Sequence, residues 1–180
     1  MLPEITYKIA DQPEEFDQIS VLNYKTFVEE IPQHTTNDSG ILVDKFHSKN
    51  KYAIALQKNE LIGMIAFNDV KPFSLNIKIE NMESYLPPHN SLLEVRLLSV
   101  RKDKRGGIIL MKLISEIYKW TKHVKKKYDY IIISGTTRQL QLYRKMGFVP
   151  FYKLVGSEEA LYQPMYLEIK KFIEQYGERL

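Results

Sequence analysis

The feature that most constrains this chain is the stretch from Leu92 to Leu113, LLEVRLLSVRKDKRGGIILMKL. It reads as a β-strand, a basic turn carrying Gly106 and Gly107, and then a long helix. Leu110, Leu113, Ile114, Ile117, Trp120 and Val124 recur at spacings of three and four, which gives that helix one core-facing stripe. The apolar run from Tyr128 to Ile133 follows it and predicts a strand buried on both faces. Strand, helix and strand in that order require a crossover within a sheet. A strand feeding a glycine-softened helix start also leaves a cluster of backbone N–H groups without partners. Reinforced by the helix dipole, such a cluster attracts phosphate.

The remaining elements fit around this unit. Ile5 to Ala10 alternates weakly and predicts a first strand. Asp11, Pro13 and Glu14 predict a capping box opening a helix over about 13–30, with Phe16, Ile19, Asn23, Phe27 and Ile31 near one side. Pro32 ends it, because the residue before proline avoids the α region. The polar segment IPQHTTNDSG reads as a loop. Lys51–Gln57 and Leu61–Phe67 flank Lys58-Asn59-Glu60 as the arms of a hairpin. Residues 69–90 hold Pro72, Pro87 and Pro88 without a sustained period, as expected of a lid or binding loop. Thr136 or Thr137 starts a helix to about 146 that Gly147 stops. Phe148–Leu154 and Tyr162–Ile169 read as closing strands before a short charged tail. The expected class is α/β (α+β): a mixed central sheet of about seven strands, helices on both faces, in a single domain spanning 1–180.

Composition narrows the function. There is no cysteine, so neither a thiol nucleophile nor a Cys-type zinc site is available, and no metal is expected. No apolar run approaches a membrane span, and the N-terminus has no signal-like apolar core, so a cytoplasmic protein without membrane partners is expected. The net charge of +4 is too small to predict nucleic-acid binding. The basic residues nevertheless cluster, as Arg101, Lys102, Lys104 and Arg105 at the glycine turn and as Lys122, Lys125, Lys126 and Lys127 at the far end of the helix. The second group suits a helix C-terminus, whereas the first sits where an anionic ligand explains it better.

Glu94 and Arg96 are two apart on the predicted strand and so face one side. They read either as a structural ion pair or as a general base with a cation that positions a substrate carboxylate. His34 and His47 are weaker base candidates on loop positions. Tyr143, in LYRKMGF, is either a packed helix tyrosine or a weak acid near a leaving group.

Two motifs together resemble the GNAT acyltransferase superfamily. Val100-Arg101-Lys102-Asp103-Lys104-Arg105-Gly106 is similar to the end of that family's central strand with its Arg/Gln-Gly, and Leu142-Tyr143-Arg144-Lys145-Met146-Gly147-Phe148 resembles its Leu-Tyr-x-x-x-Gly-Phe. The resemblance implies an N-acyltransferase that moves an acyl group, acetyl in the first instance, from a CoA thioester to a primary amine of a small molecule by direct attack. The turn of Arg105, Gly106, Gly107, Ile108 and Ile109 would then hold the pyrophosphate of acetyl-CoA or acyl-CoA, while the backbone of Leu98, Ser99 and Val100 would pair with the pantetheine. Glu94 would be the base, Tyr143 the acid that protonates the thiolate, and Arg96 a substrate-binding residue. Ile108 and Leu110 stand where the family has glycine, which confines close backbone approach to Gly106 and Gly107. Tyr24-Lys25-Thr26-Phe27-Val28-Glu29-Glu30 with Glu94-Val95-Arg96-Leu97-Leu98-Ser99-Val100 resembles the branch of N-acyl amino acid synthases and autoinducer synthases. That branch implies a long-chain donor on acyl carrier protein. A non-catalytic acyl-CoA-binding module is the third possibility, and the chain is expected as a monomer or homodimer.

Overall fold

A computed structural model describes residues 4–157 and 160–179. Strand β1 (Ile5–Ile9) leads to helix α1 (Pro13–Tyr24), the hairpin β2 (Lys51–Gln57) and β3 (Glu60–Asn68), and β4 (Leu92–Val100). Then come α2 (Gly107–His123), β5 (Tyr130–Thr136), α3 (Leu140–Lys145), β6 (Val149–Pro150), β7 (Val155–Ser157), β8 (Ala160–Glu168) and α4 (Ile169–Tyr176). The strands form one mixed sheet ordered β1-β2-β3-β4-β5-β8-β6, with β7 on β8. That is the expected class, with eight strands among the described residues where about seven were expected.

The chain forms two compact units. One holds the residues through Phe67 and Leu97–Lys126; the other holds Asn68–Arg96 and Lys127–Arg179. In the first, β1, β2 and β3 are antiparallel neighbours. Lys58 and Asn59 both take left-handed backbone, which makes the two-residue turn that matches strand twist and starts β3 at Glu60. Tyr52, Ile54, Met64 and Ala66 form one core face with Ile19 and Leu22 of α1. On the opposite face β2 carries the small Ala53 and Ala55, and α2 packs there: Phe67 of β3 meets Trp120 edge-on at 5.0 Å. A side chain at Gly63 would come within 3.3 Å of Ile109 and Val100, so this glycine lets the start of α2 lie close on the sheet.

The expected 13–30 helix is α-helical only to Tyr24. It continues as wider π turns over Lys25–Glu30, with Ile31 N–H donating to the Thr26 carbonyl at 2.9 Å. It starts at Pro13 as expected, but the capping box is one residue later, on Gln12 and Glu15. Glu15 rather than Glu14 reaches back, its carboxylate accepting the amides of Asp11 at 2.9 Å and Gln12 at 3.1 Å.

In the second unit β4 runs parallel to β5, from Leu92 opposite Tyr130 to Glu94 opposite Ile132, and β5 pairs antiparallel with β8. The segment after β3, expected as a lid or binding loop, is a core element instead. It winds through the short turns Ser74–Ile77 and Met82–Tyr85, and Phe73, Leu75, Ile79, Met82 and Leu86 are buried against Leu92 and Ile132. Its apolar residues follow 3₁₀ turns and bends, so no single period exposes them. Three further expectations shift. The β5 strand begins at Tyr130, where pairing with β4 and β8 starts, and Tyr128 before it donates its hydroxyl to Asp69 at 2.8 Å. Of the expected strand Phe148–Leu154 only Val149–Pro150 forms, as β6, and the short strand β7 follows it at Val155–Ser157. The charged tail is the amphipathic helix α4, with Phe172 buried.

Candidate active site

The donor end expected from the sequence lies in the first unit. Ser99, on β4, is 1% exposed, and its hydroxyl shares a short hydrogen bond with Thr26 in the π turns. This bond ties the π segment to the last residues of the strand. The Arg101 amide donates to the Ile62 carbonyl at 2.8 Å, while its guanidinium pairs with Asp103 at 3.0 Å and Glu60 at 3.2 Å. Arg101 therefore braces the turn. Arg105 reaches back, its Nε donating to the Val100 carbonyl at 3.1 Å and its Nη2 pairing with Glu30 at 2.5 Å. The bond from Arg105 holds the Glu30 carboxyl below the usual range.

Gly106 caps α2 in extended backbone with no side-chain cap on the first-turn amides, and that turn holds no acid. A side chain at Gly106 or Gly107 would meet nothing within 4 Å. Ile109 is buried under the helix, whereas Ile108 is 77% exposed. The helix start thus presents open amides beside a basic turn, with one large apolar side chain facing out. The same turn borders a cavity of about 330 Å³, lined among others by Lys25, Glu29, Glu30, Val100, Lys102 and Arg105. The pairing of Glu30 with Arg105 was not legible from the motif, because the two are 75 positions apart and meet only through the π turns.

Glu94 and Tyr143 both belong to the second unit. Glu94 is 1% exposed, and its carboxylate accepts the Ser74 amide at 2.8 Å, the Ser74 hydroxyl at 2.6 Å and the Leu75 amide at 3.4 Å. It caps the 74–77 turn and fixes the segment after β3 to β4. Arg96 is half-buried two residues on, and Leu97 then adopts left-handed backbone at φ +51°, a rare and strained state for leucine.

Tyr143 sits on α3, which ends in a paired glycine turn. The Gly147 amide donates to the Arg144 carbonyl and the Phe148 amide to the Tyr143 carbonyl, both at 3.0 Å, with Gly147 at φ +98°. The phenol is half-buried, and burial raises its pKa above the ordinary tyrosine value, while a hydrogen bond with Thr136 works the other way. His34 is exposed, and His47 bonds the Tyr52 hydroxyl at 2.9 Å under α1, which is a packing role. Among the described residues no three His, Asp or Glu side chains group as metal ligands, and no helix is long and apolar enough to cross a membrane.

A family model described as an acetyltransferase (GNAT) domain matches residues 22–115, just over half of the chain. No curated protein matches. Among solved structures, the fold is similar to BjaI, a CoA-dependent acyl-homoserine lactone synthase seen with SAM and isopentyl-CoA, at 17% identity and TM-score 0.73 over 97% of this chain and 90% of that one. It is similar also to FeeM, an N-acyl amino acid synthase from uncultured soil microbes, at 12% identity and TM-score 0.74 over 99% and 100% of the two chains. The AHL synthase LasI gives 11% identity and TM-score 0.73, over 97% and 96%.

Proposed function

Since this chain belongs to the GNAT acetyltransferase family, and is an acyltransferase by that membership, we propose that it moves an acyl group from a CoA thioester to a primary amine of a small molecule by direct attack. The observation that carries this reading is the start of α2: uncapped amides, two glycines with open space above them, and Arg105 held alongside. In this scheme Arg105, Gly106, Gly107, Ile108 and Ile109 take the donor pyrophosphate, and the backbone of Leu98, Ser99 and Val100 takes the pantetheine. The amine nitrogen bonds to the thioester carbon, the C–S bond breaks, and the sulfur leaves as thiolate. Tyr143 returns a proton to that sulfur, and its raised pKa keeps the phenol protonated until then. Glu94 accepts the proton that the amine loses, reached through water because its side chain is buried. Arg96 holds a carboxylate on the acceptor. With no cysteine in the chain, a thiol-bound acyl-enzyme is not an alternative route.

A longer acyl chain, delivered on CoA or on acyl carrier protein, is the second reading. It is favoured by likeness to a fold seen with isopentyl-CoA and to an N-acyl amino acid synthase. Exposed Ile108 at the helix start, where the family's glycine leaves no side chain, is compatible with it. The test is thiol release from acetyl-CoA and octanoyl-CoA across a panel of primary amines, alongside calorimetry with each donor. Turnover with one donor settles the chain length. Donor binding without turnover on any amine would instead support a non-catalytic acyl-CoA-binding module.

A further inference from the structure

We propose that Gly135 and Thr136, the last two residues of β5, are a positioning pair that seats the side chain of Tyr143. The proposal rests on Tyr143 being the acid of the transfer described above.

A Cβ on Gly135 would lie 2.9 Å from both Cδ2 and Cε2 of the Tyr143 ring. Carbon atoms do not approach that closely, so the ring occupies the space that a side chain at Gly135 would need, and any side chain there would displace it. Conformational freedom does not explain this glycine, because its φ is not among the positive ones. A glycine inside a strand weakens the strand, and here the room it leaves is what the fold uses. The next residue adds a polar neighbour, since the Thr136 side chain lowers the Tyr143 pKa that burial raises. Phe148 closes the third side, its ring edge-on at 6.1 Å, and the Phe148 amide holds the Tyr143 carbonyl at 3.0 Å. The tyrosine is therefore held at its backbone and along its ring. A donor that must deliver a proton at one position gains from such fixing. Thr136 adds a second effect, because a hydroxyl that donates to the phenol oxygen favours the phenolate left behind after proton transfer.

The test has a spectroscopic arm and a kinetic one. Protein labelled with ¹³C at tyrosine Cζ gives a Tyr143 resonance identified by its absence in Tyr143→Phe. Thr136→Val and Gly135→Ala are expected to move that resonance, and Thr136→Val to raise its alkaline midpoint, while Thr136→Ser keeps both. In thiol-release assays with acetyl-CoA or octanoyl-CoA, both disruptive variants should lower kcat by about three- to tenfold, as expected for one hydrogen bond, with donor KM unchanged. Neither should lower kcat further in a Tyr143→Phe background. An unmoved resonance in both variants would overturn the seat. The same fractional loss of kcat with and without the phenol would show that the pair does not act through Tyr143, and would overturn the proposal as well. Full turnover by Tyr143→Phe would remove the acid role alone, with the resonance still reporting the seat.

Discussion

Glu94 shows how one side chain can hold a structure and still be asked to do chemistry. Its oxygens accept two amides and a hydroxyl from Ser74 and Leu75, at 1% exposure. Removing the carboxylate strands these buried donors, and each hydrogen bond to a charged group is worth about 1.5–3 kcal/mol. Glu94→Ala should therefore destabilise by roughly 3 kcal/mol, and at about 2–4 °C per kcal/mol for a chain of this size the melting temperature should fall by about 6–12 °C. Glu94→Gln keeps one acceptor oxygen and should lose less. If Glu94 is also the base, that variant loses turnover beyond its loss of stability, and normal acylation across pH would leave only the structural role. Gly147 gives a cleaner case. Its φ of +98° is a conformation that side chains resist, and a Cβ there would stand 3.1 Å from Leu167. Gly147→Ala should cost about 1–2 kcal/mol in chemical denaturation, and an unchanged midpoint would mean that α3 ends without needing this turn.

At the scale of elements, the opening of α1 carries a pH dependence. Burial raises the Glu15 carboxyl, but bonds from Lys8 and from the amides of Asp11 and Gln12 outweigh it and leave the pKa lowered. A carboxyl depressed on folding contributes stability above its unfolded pKa, near the ordinary 4.5, and loses it as pH falls through the folded value. Wild type should exceed Glu15→Gln in stability at pH 7, and the two should converge towards pH 3; a constant gap in urea titrations would sink the assignment. The sequence showed that a helix starts here but placed its box one residue early, because Glu14 and Glu15 compete for one geometric role. Long amphipathic helices and the hairpin were legible because burial repeats at a fixed period. Residues 69–90 were not, since their five buried apolar side chains follow short turns, and Glu94, read either as an ion pair or as a base, gave no sign in the sequence that it caps one of those turns. The π turns after Tyr24 were hidden likewise: they keep an apolar pattern while shifting its register. At the candidate site the glycine turn, Arg105 and Tyr143 were readable as a motif, whereas Glu30 meets Arg105, Ser74 meets Glu94 and Gly135 meets Tyr143 only through the fold.

For the whole molecule the question is whether the basic turn and the helix start act together on a donor. A ligand that binds only the native state stabilises it by RT ln(1 + [L]/Kd), about 2.7 kcal/mol at a hundredfold excess over Kd. For 180 residues that is a rise of about 5–10 °C in melting temperature. Free CoA, acetyl-CoA and octanoyl-CoA share the pyrophosphate and differ only beyond the sulfur, so the part of the shift common to all three measures phosphate binding, and the differences measure acyl recognition. Arg105 is 43% exposed at its side chain, so its contribution should weaken as salt screens it. Arg105→Ala should reduce the common part for every donor while leaving the ranking by chain length intact. Its own cost is small, because the Glu30 pair it breaks is partly solvated. Equal melting temperatures with and without all three compounds would remove the donor site from the start of α2. A ranking that changes in Arg105→Ala would show that the turn reads the acyl chain as well as the phosphate, and would place the exposed Ile108 in contact with it.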